Sequence, residues 1–250
     1  MTISRTFHKR QPGVMTDLTL ATAPLGLFGK FKRVIITGDS MSVNAIILAG
    51  LVAIGWITSA SLIDIVGAVT GLVSVWLAAR ENIWTYPVGL VNIVAFFIEF
   101  YTVKLYADAT LQVVFFVLTV VGWVIWLTKR QGHKVRPTRN ARRTELLIAM
   151  PIVAIGTVVW GQYLSTLGDP APILDALVAL LSIIAQYFLS YKVLQNWHFW
   201  ISVDVLSIAL YLYKNLVVTA GVYAIFLIIA TGGLFAWKRE MGRVRSSSAA

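Results

Sequence analysis

Cysteine is missing from all 250 residues, which excludes a disulfide framework, a thiolate metal site and a cysteine nucleophile. Histidine occurs three times, at His8, His133 and His198, too scattered for the spacing a metal site needs. Charge is scarce too. Asp, Glu, Lys and Arg make up 13% of the chain, against roughly one-quarter in a soluble domain. There is no G-x-x-x-x-G-K-[ST] loop to cradle a phosphate. An enzyme needs a nucleophile or metal with a base in reach, and His198 stands alone among aromatic residues, so no catalytic activity, cofactor or metal is expected.

What is abundant is apolar. Hydrophobic residues are 58% of the chain and the mean hydropathy is +0.78. Crossing a hydrocarbon core of about 30 Å takes roughly 17 to 25 helical residues. Segments of that kind fall at 42–60, 62–79, 84–101, 105–127, 144–164, 173–191, 197–213 and 215–236. Backbone groups in lipid must bond within their own segment, so the expected fold is an all-α integral membrane protein with eight transmembrane helices. Of the 21 Lys and Arg, 19 lie on one side of these spans, and Lys104 and Lys214 lie on the other. The net charge of +10 is therefore read as topology, with both termini cytoplasmic, and not as a nucleic-acid footprint. The basic loop "TKRQGHKVRPTRNARR" is read in the same way. The first span follows about forty residues containing Pro and Gly and reads as an anchor rather than a signal peptide.

Residues 62–130 and 173–240 resemble one another in order. "VGLVNIVAF" matches "WISVDVLSI", placing Asn92 against Asp204; "FYTVKLY" matches "LYLYKNL", placing Lys104 against Lys214. Trp126 to Arg130 and Trp237 to Arg239 close the two copies. The expected organisation is a tail at 1–41, a peripheral helix at 42–60, a three-helix bundle at 62–130, a basic loop and linker helix at 131–172, a second bundle at 173–240 and a tail at 241–250. An odd linker makes the two repeats parallel, related by an axis along the membrane normal, with a site near the midplane between them.

Polar groups inside a span are costly unless they face the bundle or a cavity. Trp197, Trp200, Asp204, Ser207 and Tyr211 share one face, as do Gln112, Phe116, Thr119, Trp123 and Trp126, while Asp175, Ser182 and Gln186 have compatible spacing. Asp64, Gly67, Gly71, Ser74 and Ala78 form a ridge of mostly small residues suited to helix packing. An aromatic wall, a carboxylate and several amides suit a small cation with an aromatic ring and hydroxyls, each indole face offering about 0.5 to 2 kcal/mol to a positive charge.

The stretches "NIWTYPVGLVNIVAFF", "KLYADATLQVVFF", "GWVIW" and "NWHFWISVDVLSIALYLYKNLVVTAGVYAIFLIIATGGLFAWK" resemble the PnuC family of bacterial vitamin transporters, over roughly residues 62–240. The resemblance implies a SWEET-like fold of two three-helix bundles joined by a linker helix, in the bacterial inner membrane. It implies facilitated diffusion of nicotinamide riboside, trapped afterwards by a cytosolic kinase. Thiamine or riboflavin transport, or proton-coupled symport, are the alternatives. The "NWxxW" motif falls on Asn196, Trp197 and Trp200 and the "LQ" on Gln112; with Asn92, Trp123, Gln186 and Asp204 these are the candidate substrate-binding residues. The expected partners are the vitamin and the lipid bilayer, with homo-oligomerisation expected of so small a carrier.

Overall fold

The computed structural model describes residues 61–128 and 134–247. The tail expected at 1–41 and the span expected at 42–60 lie outside the described residues. Seven helices follow in order: α1 (Leu62–Ala79), α2 (Thr85–Thr102), α3 (Tyr106–Thr128), α4 (Arg143–Thr166), α5 (Pro172–Ser190), α6 (Asn196–Tyr213) and α7 (Val217–Ser247). Six of the seven are long and apolar enough to cross a membrane. The other, α6, matches α1 in length at 18 residues but carries Asn196, His198 and Asp204, which lower its hydropathy. This is an all-α membrane protein. The last helix outruns the expected 236 and continues through the charged segment as far as Ser247, into the stretch expected as a tail.

Local signals set the helix ends. Ser61 and Asp64 form a capping box at the start of α1, with the Asp64 amide donating to Ser61 Oγ at 3.1 Å and the Ser61 amide to Asp64 Oδ2 at 2.8 Å. Pro172 opens α5, where a missing amide hydrogen costs nothing. Four helices close in the same way, each with one residue in the left-handed region: Glu81 (φ 55°), Lys104 (φ 64°), Lys192 (φ 57°) and Asn215 (φ 59°). In each case the next amide reaches back over the turn, for example Asn82 to the Leu77 carbonyl at 2.9 Å and Val193 to that of Phe188 at 2.9 Å. None of the four is glycine.

These turns fix the internal register. Equivalent positions stand 111 residues apart, 81 with 192, 104 with 215 and 126 with 237. Asn92 is therefore opposite Val203 and Asp204 opposite Ile93, one residue away from the pairing that similarity of side chains suggests. Lys104 likewise faces Asn215 in the register, not Lys214. Matching polar with polar misplaced the alignment by one position because the loop geometry, not mid-span chemistry, is what the two halves share.

Helices α1, α2 and α3 pack in sequence, as do α5, α6 and α7; α3 then meets α5 and α1 meets α7, closing a ring of six. Helix α4 packs chiefly on α5, outside that ring. The small-residue face of α1 lies against α2, where a Cβ on Gly71 would stand 2.8 Å from Asn92 Nδ2 and one on Gly67 3.1 Å from the Phe96 ring. Within each half an aromatic side chain sits edge-on to a tryptophan: Tyr86 to Trp126 at 5.1 Å and Trp197 to Trp237 at 5.4 Å, both at 87°. Between halves the indoles cross over. Trp126 Nε1 donates to the Leu189 carbonyl at 3.1 Å and Trp237 Nε1 to that of Ala78 at 2.9 Å.

Glycines at equivalent positions make room for these rings. A Cβ on Gly233 would lie 2.6 to 2.8 Å from three atoms of the buried Trp197 ring. Alanine in place of helical glycine ordinarily gains about 1 kcal/mol, whereas overpacking a filled core costs about 1–3 kcal/mol. Gly233→Ala is expected to lower the melting temperature in detergent, and Gly221→Ala, on the same helix with nothing within 4 Å, to raise it. Equal effects from the two would show that the indole layer is loosely packed.

Candidate binding cavity

A continuous void of about 1290 Å³ occupies the centre of the ring and extends sideways beneath α4. It reaches Lys104, Asp169 and Lys214, in the loops α2–α3, α4–α5 and α6–α7, so its mouth lies at that end. Its floor, at the other end, is the aromatic layer, with Tyr86 and Trp197 on the cavity and Trp126 and Trp237 behind them.

Six of the eight candidate residues line the void: Asn92, Gln112, Gln186, Trp197, Trp200 and Asp204. Asn92 Nδ2 donates to the Gly67 carbonyl at 2.7 Å, which pins its amide plane against α1. Gln186 Nε2 donates to Thr119 Oγ1 at 3.0 Å and so bridges the two halves from α5 to α3. Trp197 is 1% exposed, and its Nε1 hydrogen finds no acceptor among the described residues. Asp204 is 4% exposed and has no Lys, Arg or His within ion-pair distance among the described residues. A buried carboxylate is stabilised as an anion only when something supplies positive charge or hydrogen bonds.

The remaining two candidates do not reach the void. Trp123 is half-buried and packs against the indole cluster. Asn196 is fully buried at the start of α6, its Nδ2 donating to the Val193 carbonyl at 2.6 Å, and so it holds the α5–α6 turn. Sequence reasoning missed Tyr223, which stacks on Tyr211 at 5.2 Å and 24° on the wall. The repeat register would have found it, since position 223 is the equivalent of Gln112. At the mouth Lys214 Nζ meets Asp175 Oδ2 at 2.7 Å and Asp169 Oδ1 at 3.9 Å. Counting formal charges, the lining has four carboxylates, Asp108, Asp169, Asp175 and Asp204, against two lysines, Lys104 and Lys214. In a chain of net charge +10 this cavity is acidic.

Behind the floor lies an ion pair. Lys192, fully buried, places Nζ 3.2 Å from Glu81 Oε2, 3.8 Å from the Trp126 ring centre and 4.7 Å from that of Trp237. Glu81 and Lys192 are equivalent residues of the two halves and pair with each other across the junction. Burial pushes the Lys192 ammonium down to about 8, against the pull of Glu81 in the opposite direction.

A sequence model for the family described as nicotinamide mononucleotide transporter matches residues 61–239. The chain belongs to that family. The nicotinamide riboside transporter PnuC of Escherichia coli is 29% identical over 213 residues, covering 73% of this chain and 88% of that protein. The riboflavin/roseoflavin transporter RibM of Streptomyces davaonensis is 28% identical over 181 residues, 70% of this chain and 83% of the other. Among solved structures, a vitamin B3 transporter PnuC superposes with a TM-score of 0.65 at 23% identity, over 86% of this chain and 98% of its own, which establishes likeness of fold. The matched region begins at Ser61, the cap of α1, takes in α1 to α6 and ends at Arg239, within α7.

Above pH about 8 Lys192 becomes neutral and the junction loses its ion pair. Indole emission is expected to change through that range, since an ammonium sits against two rings, and Lys192→Met should abolish the transition. Because Glu81 raises the lysine's affinity for its proton, Glu81→Gln should move the midpoint to lower pH. An unmoved midpoint would mean that Glu81 does not set the charge of Lys192.

Proposed function

We propose that the protein carries nicotinamide riboside across the bacterial inner membrane by alternating access, and that Asp204 supplies the counter-charge to the pyridinium ring. The observation carrying this reading is a buried carboxylate without a cationic partner, beside Trp197 and Trp200 in a net-acidic cavity. The indole faces suit a flat cation. Asn92, Gln112, Gln186 and the free N–H of Trp197 suit the ribose hydroxyls and the carboxamide. The names of relatives such as the E. coli protein point to the same substrate.

The full layout in this reading is SWEET-like: the span at 42–60, two parallel bundles, and α4 as the linker between them. Both termini lie in the cytoplasm, on the side holding 19 of the 21 basic residues. The cavity mouth then faces outward and the Glu81–Lys192 junction inward. Transport needs no ion or ATP on this chain, and cytosolic phosphorylation draws the riboside inward by removing it from the equilibrium. Because a midplane carboxylate can also exchange a proton, a proton-coupled carrier is the second reading; uptake that survives collapse of the proton gradient removes it.

Asp204→Asn keeps shape and removes charge. It is expected to weaken binding of nicotinamide riboside at least tenfold, a change of about 1.4 kcal/mol, while leaving affinity for the uncharged dihydro form of the same riboside within a factor of two or three. Calorimetry on purified protein reads both. Equal losses for the two ligands would make Asp204 a packing residue, and tight binding of riboflavin in place of either would reassign the substrate.

A further inference from the structure

A second void, of about 640 Å³, lies beyond the Glu81–Lys192 junction, on the far side of the aromatic layer from the substrate cavity. Its size falls in the usual range for small-molecule sites, roughly 300–1,000 Å³. Its walls come from the end of α1, the segment 134–140 and the charged part of α7. Six cationic side chains line it, Arg80, Lys134, Arg136, Arg139, Arg239 and Arg243, against two carboxylates, Glu81 and Glu240.

Both carboxylates are already engaged. Glu81 holds Lys192 at 3.2 Å and accepts from Thr138 Oγ1 at 2.9 Å, and Glu240 lies 3.5 Å from Arg243. Arg139 is saturated by Glu145, with which it makes two bonds of 2.7 and 2.8 Å. Arg80 lies over the Trp76 ring at 4.3 Å. Lys134, Arg136 and Arg239 are left with no carboxylate partner among the described residues. One nitrogen of Arg136, Nη1, is buried without an acceptor, and its guanidinium is pushed below its ordinary value by burial and by Arg139 beside it.

The wall is built rather than loosely attached. The Arg136 amide donates to the Trp126 carbonyl at 3.2 Å; the Arg139 amide donates to the Lys192 carbonyl at 3.1 Å; the Leu194 amide returns to the Arg139 carbonyl at 2.8 Å; and the Ala141 amide donates to Gln195 Oε1 at 2.7 Å. Arg136 and Arg139 are half-buried in this wall, while Arg80, Lys134, Arg239 and Arg243 reach it from the exposed surface, and charge needed only for topology gives no reason for the orphaned Arg136 nitrogen. Guanidinium forks match phosphate oxygens in geometry and charge.

We propose that this basic vestibule is a binding site for a phosphate-bearing anion, held by Arg136 and Arg239 with Arg80 and Lys134 at the rim. Such an anion would tie the segment 134–140 to α7 and to the end of α1. The phosphate can come from a soluble ligand or from a lipid headgroup at the membrane surface.

The test uses full-length protein in nanodiscs, one set of zwitterionic lipid and one containing phosphatidylglycerol, titrated with pyrophosphate at constant ionic strength. Saturable binding with a raised melting temperature is expected in zwitterionic discs, with the affinity falling at least tenfold in the double variant Arg136→Gln, Arg239→Gln. Loss of pyrophosphate binding in the anionic discs would identify a headgroup as the natural occupant, and retention a soluble phosphate compound. Nicotinamide riboside titrated into the same double variant reports that the fold is intact. Absence of saturable binding in zwitterionic discs, or affinity unchanged by the double variant while riboside binding persists, would overturn the site.

Discussion

The two crossed indole hydrogen bonds hold the molecule together at its centre. Each half offers a tryptophan, Trp126 or Trp237, whose N–H is satisfied only by a carbonyl at the end of the first helix of the other half, Leu189 or Ala78. In a region where water cannot serve as a partner, an unpaired indole N–H costs more than the roughly 0.5–1.5 kcal/mol that a made bond contributes. Neither half is therefore complete by itself. Lys192 and Glu81 add an ion pair at the same junction, and removing one partner of such a buried pair typically costs about 3–5 kcal/mol. Both residues are in the left-handed region, which disfavours a residue with a Cβ by roughly 1–2 kcal/mol. Two of the four residues under this strain, Glu81 and Lys192, are thus also the pair that meets across the junction.

A symmetric frame carries an asymmetric lining. Positions equivalent in the two halves hold Asp204 and Ile93, Gln112 and Tyr223, Gln186 and Val75, Trp200 and Gly89. The backbone repeats, with left-handed residues closing the same two helices of each half. A flat ligand with a charge at one end needs unlike walls. Charge, amide and aromatic groups are accordingly divided between the halves, with the single mid-cavity carboxylate on α6. Helix α6 is polar on two faces: Asn196, Asp204 and Ser207 are buried, while His198 and Ser202 are exposed on the outside.

Much of this was legible in the sequence. Seven of the eight predicted spans correspond to the observed helices, because runs of about 20 apolar residues have few alternatives in a bilayer. The stripe through Trp197, Trp200 and Asp204 was readable because helical periodicity places those side chains on one face. Periodicity does not say which neighbour a face meets. Trp123 shares its face with Gln112 and Thr119 yet lies further along α3, level with the aromatic layer, and Asn196 belongs to a turn that its spacing alone cannot distinguish from the helix beyond it. Tyr223 was missed because the apolar part of α7 holds no charged or amide side chain beside it; only the register set by the four left-handed residues pairs it with Gln112. Those residues, three of them charged and one an asparagine, carry no glycine signal by which a left-handed turn is usually recognised.

Charge distribution joins the chemistry at the two ends. The cavity has more carboxylates than lysines, while the void beyond the junction has more arginines and lysines than carboxylates. A cation entering from the mouth therefore meets attraction down to Asp204 and then repulsion from the basic vestibule. Between them stands Lys192, itself a buried cation, behind the aromatic floor of the cavity. Glu81 lowers that barrier by pairing with Lys192, and the indoles of Trp126 and Trp237 spread its charge over their faces. In the proposed function, the aromatic rings that stand between Asp204 and Lys192 are also the surfaces best suited to receive a pyridinium.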